Sequence, residues 1–205
     1  MNHPHPPNAA TAQFSAEQDS PSRVFGFWLF MMSDALVFGL LFAVYATMLH
    51  ATDGGPGGKQ VLELQSGLVE TLVLLCSSFT IGMVTLNLQY RPRPRRYLVG
   101  WLLLTLMLGM TFLKLELSDF ATMIGHGATA QRSGYLSALY TLVATHGLHV
   151  AAGCLWLTVM LVQIKLFGLD ATVRFRLTVL ALFWHFLDVV WVAIYAVVYL
   201  QANLR

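Results

Sequence analysis

Five apolar runs, each long enough to cross a bilayer and each closed by a short breaker-rich connection, leave this chain few folds to choose from. A crossing needs about 20 mainly apolar residues when helical, and only a helix satisfies its own backbone groups within one segment. The runs predict spans at 24–49, 66–88, 98–120, 135–164 and 177–200. The connections ATDGGPGGKQ, RPRPRR, GHGATAQRSG and LFGLDATVRFR carry Gly, Pro and charge, the usual marks of turns. They are short enough to make sequential helices antiparallel. The expectation is an all-α integral membrane protein, an up-and-down bundle of five transmembrane helices over 23–205. The polar, Pro-bearing stretch 1–22 is read as a disordered cytoplasmic tail. The first run is longer than the apolar core of a signal peptide and lacks a small-residue cleavage pattern, so it is read as a retained span.

Composition narrows the function classes. Apolar residues make up 57% of the 205 and charged residues only 11%, against about a quarter charged in soluble domains. The net charge of +2 is small, and the arginines sit beside apolar runs. That pattern argues against a nucleic-acid surface. Cys76 and Cys154 both fall inside spans, which supports neither a disulfide framework nor a zinc site; both are expected to be small core residues.

Orientation follows from the Lys and Arg bias. With the N terminus cytoplasmic, that side holds eight cations: Arg23, Arg91, Arg93, Arg95, Arg96, Lys165, Arg174 and Arg176. The other side holds three, Lys59, Arg132 and Arg205, and Lys114 lies within the third span. The N terminus is therefore expected inside and the C terminus outside. The cluster Arg91, Arg93, Arg95 and Arg96 is read as a topology anchor in preference to an anionic-lipid pocket.

Polar residues recur at depth. Asp34 lies in the first span, Glu70 in the second, Glu116 and Asp119 late in the third, His146 and His149 in the fourth, and His185 and Asp188 in the fifth. Asp34 is about ten residues into its helix, or about 15 Å at ~1.5 Å per residue. His146, His149, His185 and Asp188 fall at similar depth, whereas Glu70, Glu116 and Asp119 form a second level nearer the outer surface. An isolated ionised carboxylate at mid-bilayer costs several kcal/mol, so these groups are expected to be neutral or paired. The favoured reading is a structural polar network in which Asp34 and Asp188 accept from imidazoles. Its hydrogen bonds contribute about 0.6–2 kcal/mol each, and Ala144, Gly147, Ala151 and Gly153 should let another backbone approach beside the histidines. A haem or metal site is the weaker reading, because His146 and His149 share one helix with no matched pair opposite. A proton-coupled carrier is weaker too, since no inverted repeat or broken midplane span is present.

Four segments together resemble one family: GFWLFMMSDALVFGLLFAVY at 26–45, ELQSGLVETLVLLCSS at 63–78, THGLHVAAG at 145–153 and FWHFLDVVW at 183–191. They resemble subunit III of haem-copper respiratory oxidases. The five-helix length, the GGPGGK loop and RSGYLSA resemble the bo-type ubiquinol oxidase branch in particular, with the cytochrome c oxidase branch as the alternative. The resemblance implies a non-catalytic subunit of a proton-pumping complex in the bacterial inner membrane, which oxidises quinol and reduces oxygen to water. It implies haems and copper in subunit I, none in this chain, and ubiquinol as the substrate of the complex. It further implies packing on subunit I, assembly with subunits II and IV, bound phospholipid, and support of proton uptake and stability. By motif match Asp34 takes the place of the family's buried acidic residue, and Glu70, His149, His185 and Asp188 match further family positions. No catalytic, metal or cofactor residue is assigned to this chain.

Overall fold

The computed structural model describes residues 9–52, 54, 64–89 and 94–204. Every described regular element is helical: α1 Ala9–Met48, α2 Leu64–Gln89, α3 Arg95–Gly125, a 3-10 turn Ala130–Arg132, α4 Gly134–Phe167, α5 Ala171–Ile194 running on as a π-helical stretch Tyr195–Leu200, and a last turn α6 Gln201–Leu204. Five helices are long and apolar enough to cross a membrane: Phe25–Met48, Leu64–Gln89, Arg95–Gly125, Gly134–Phe167 and Ala171–Leu200. Most extend past the ends predicted from hydropathy, because helical hydrogen bonding continues into polar flanks once begun. The same holds before the first span. The backbone of 9–22 is helical where composition suggests a disordered tail, and the run AATAQFSAEQ is rich in good helix formers. Residues 1–8, with Lys59, Arg91, Arg93 and Arg205, lie outside the described residues.

The chain divides into two compact units, Met1–Val37 and Phe38–Arg205. Within the first, α1 presents Phe25, Leu29 and Leu36 as exposed apolar side chains. Within the second, α2, α3, α4 and α5 close a ring in which each helix packs against the next and α5 returns to α2. Contact pairs give the directions. Between α2 and α5, Gly67 meets Tyr199, Thr71 meets Trp191 and Ser77 meets Trp184, so one number rises as the other falls. Ser66 with Asp119 and Thr80 with Thr105 say the same for α2 and α3. Gly147 with Glu116 and Gly109 with Cys154 orient α3 against α4, while His146 with Leu187 and Gly153 with Trp184 orient α4 against α5. The last turns of α1 run antiparallel to α4, through Phe38 with His149 and Tyr45 with Tyr135. Sequential helices therefore alternate in direction.

Glycines in the ring make room for side chains, which differs from the expectation of close backbone approach. A Cβ on Gly147 would lie 2.6 Å from the carboxyl oxygens of Glu116, and one on Gly109 would lie 2.8 Å from the Trp184 ring. Ala144 and Ala151 are exposed. Two indoles of α5 are pinned to α2 hydroxyls: Trp184 Nε1 donates to Ser77 Oγ at 2.9 Å and Trp191 Nε1 to Thr71 Oγ1 at 3.1 Å. Buried indoles need such an acceptor. Outside the ring the surface is apolar, with Leu148, Leu155, Met107 and Val189 exposed, as suits lipid or a partner subunit. Cys76 also faces outward, correcting the expectation of a core residue, while Cys154 is buried.

The helix ends near the arginines are capped from neighbouring elements. Arg95 donates from α3 to the carbonyl of Ile164 in the last turn of α4, and Arg176 donates to Gln163 Oε1 at 3.0 Å. A cation there complements the negative end of the α4 dipole. Arg96 lies over the ring of Tyr97, at 5.8 Å. Gly168, at φ +80°, ends α4 and bonds back to Ile164.

Candidate functional site

The polar residues of the ring fall into three separate groups. The first is an acidic group towards the α1 C-terminal end of the bundle, with Glu70 and Glu116 buried and Asp119 half-buried. Glu70 of α2 is fully buried, and Glu116 of α3 lies under Gly147 of α4. Asp119 accepts a 2.6 Å hydrogen bond from Ser66 Oγ. The three carboxyls lie within electrostatic range of one another, with Tyr199 of the π-helical stretch beside them. Both oxygens of Glu70 and Oε1 of Glu116 find no hydrogen-bond partner. Unpartnered carboxyl oxygens at full burial are costly. The π-helical stretch contributes to this group: its wider turn shifts the register of the last α5 residues, and the Tyr199 ring stands where a Cβ on Gly67 would meet it at 2.7 Å.

The second group is His146 alone. It is fully buried, its Nε2–H donates to the Leu187 carbonyl at 3.1 Å, and Nδ1 has no partner. Aromatic rings enclose it, Trp191 at 5.0 Å, Phe112 at 5.7 Å and Phe38 at 6.4 Å. His149, one turn on, donates from Nδ1 to the Thr145 carbonyl of its own helix at 2.7 Å and packs on Phe38.

The third group is the pair with which the fifth span is most marked. His185 Nδ1 lies 2.7 Å from Ser78 Oγ of α2, and Asp188 shares the same serine. The sequence reading has Asp34 and Asp188 accept from imidazoles, with this stretch of α5 facing His146, His149 or Asp34; in the structure Leu187 of α5 meets His146, and His185 meets Ser78 of α2. This pair opens on a groove between α2 and α5. Asp34 stands on α1 within the first unit, so the three groups are built from the second unit alone.

His146 and His149 are tied to backbone carbonyls and His185 to a serine, and among the described residues no group of three or more His, Cys, Asp or Glu could hold a metal ion. Ser78, Tyr199 and the indole anchors escape sequence reasoning, since single hydroxyls and aromatics are common in apolar helices and only packing selects them.

Comparison with known proteins agrees with this architecture. The family described as cytochrome c oxidase subunit III matches residues 19–203. Subunit 3 of the cytochrome bo(3) ubiquinol oxidase of Pseudomonas aeruginosa is 43% identical over 92% of this chain and 90% of its own length. The subunit of the same name from Buchnera aphidicola is 39% identical over 85% of the chain and 89% of its own length. A probable quinol oxidase subunit 3 from Staphylococcus aureus is 36% identical over 85% and 87%. With five helices long and apolar enough to cross a membrane and matches along nearly its whole length, the chain belongs to the cytochrome c oxidase subunit III family.

Proposed function

We propose that the chain serves as the non-catalytic third subunit of a cytochrome bo-type ubiquinol oxidase, packed on subunit I, which carries the haems and copper, and assembled with subunits II and IV. The observation that carries this reading is the end-to-end match to third subunits of quinol oxidases, supported by histidines committed to carbonyls and a serine. The broad apolar exterior suits phospholipid and a neighbouring subunit. The setting is the bacterial inner membrane, with the N terminus cytoplasmic and the C terminus periplasmic; the charge bias of the connections supports this. Asp34, Glu70, His146, His149, His185 and Asp188 support packing, lipid and proton uptake, with Glu116 and Asp119 as outer acidic neighbours and Arg91, Arg93, Arg95 and Arg96 as the topological anchor.

Affinity purification in mild detergent tests the assignment. Haem absorption and the other oxidase subunits should co-purify with this chain, whereas the chain alone should show no Soret band. A stoichiometric haem spectrum from the isolated chain would overturn it. In the intact complex, Asp34→Ala and Asp188→Ala should shorten the working life of the oxidase more than they lower its initial rate. An equal loss of initial rate with all subunits present would place these carboxylates on an obligatory proton path instead.

A further inference from the structure

The groove between α2 and α5 encloses about 610 Å³ and is walled by Leu75, Phe79, Met83, Leu86, Ala181 and Leu182. It runs from Gln89 and Thr178, near the helix ends, to Ser78, His185 and Asp188 near the middle of the Ala171–Leu200 span. At its polar end His185 Nδ1 lies 2.7 Å from Ser78 Oγ, and His185 lines the groove beside Asp188. Asp188 is 92% buried, and its Oδ1 has no hydrogen-bond partner. An unpartnered carboxyl oxygen and an imidazole thus stand together near the middle of the span, at the head of a long apolar slot.

The ligand that fits is an apolar-tailed molecule bringing hydroxyl donors to the hydrocarbon centre. A phospholipid keeps its headgroup at the interface and would set acyl chain against the unpartnered Asp188 oxygen, and its phosphate offers acceptors itself. A quinone in the oxidised state likewise offers carbonyl acceptors only. An isoprenoid quinol is uncharged, resides in the hydrocarbon layer and carries two hydroxyl donors. We infer that the α2–α5 groove is a binding site for the reduced quinol, with its ring hydroxyl at His185 and Asp188 and its tail along Phe79, Met83 and Leu182. The inference rests on the chain's place in a quinol oxidase. The site holds quinol within the complex, and no electron transfer occurs there.

The test uses the intact oxidase in lipid nanodiscs and a ubiquinol analogue carrying a photoreactive diazirine, presented anaerobically as the quinol or as the quinone. Mass spectrometry of the cross-linked peptides should find label on 75–89 and 178–188 with the quinol. Label there should fall about tenfold with the quinone, the equivalent of about 1.4 kcal/mol. Ser78→Ala, Asp188→Leu and the groove-filling Leu182→Trp should each remove it, whereas Leu148→Trp, on an exposed face of α4, should not. Equal labelling by the two redox states, or displacement of the label by added phospholipid, would overturn the proposal in favour of a lipid site. Absence of label with all subunits and haem present would overturn it as well, showing the groove covered in the complex. Loss of the other subunits on purification would instead sink the assignment of the chain as an oxidase subunit. Ser78→Ala, which removes one oxygen from a half-buried position, keeps the comparison interpretable if the bulkier variants assemble poorly.

Discussion

The buried pair Glu70 and Glu116 and the α2–α5 groove put carboxylates at depth in the same bundle by opposite means. Glu70 and Glu116 are enclosed by all four helices of the ring, and their surroundings are shaped around them: Gly147 has no side chain because the Glu116 carboxyl fills its place. Asp188 stands at the end of an open slot, oriented through one serine, with an oxygen left for something else. The first arrangement makes helix packing depend on the acids. The second makes an acid available. A buried polar group in a membrane bundle is thus not one kind of feature, and its surroundings decide whether it is architecture or a binding surface.

Four substitutions sharpen or break this comparison. The largest effect should come from Trp191→Ala, which empties the space between His146 and Phe112 and frees the Thr71 hydroxyl. Truncating a buried Trp costs about 3–5 kcal/mol, read as early loss of the chain from the purified complex on heating. Gly147→Val forces atoms into the Glu116 carboxyl and should cost about 1–3 kcal/mol. Pairing it with Glu116→Gly should recover part of the loss in the same heating assay, and no recovery would break the idea that the two positions share one volume. Trp184→Phe removes the donor to Ser77 and should cost about 0.5–1.5 kcal/mol. Glu70→Gln keeps the shape while removing an unpartnered acid, so it should change heat tolerance by about 0.5 kcal/mol or less, and in the stabilising direction if any. A large loss would show that the acid itself has a partner in the assembled complex.

Much of the architecture was legible beforehand. Five spans follow from apolar length alone, since about 20 residues per crossing is a property of the bilayer. Their alternating directions follow from connections too polar and too rich in breakers to recross the bilayer core. Glu70, Glu116 and Asp119 fall in one region because equal depth on antiparallel neighbours follows from counting along the helices. Which helix His185 and Asp188 meet was not legible. A spacing of three residues puts both on one side of α5, but whether that side meets α4 or α2 depends on helix rotation. Rotation is set by the bulk of Trp184 and Trp191 and by the glycines that admit them.

Sequence by itself determined the family and the number and order of the apolar helices, because hydropathy and motif are local properties read along one chain. Tertiary structure alone decided that α2 to α5 close into a ring, that one acidic pair is buried and another acid opens on a groove, and that Ser78 stands between His185 and Asp188. These outcomes rest on side chains from helices distant in sequence filling shared volumes, and no single helix contains that information.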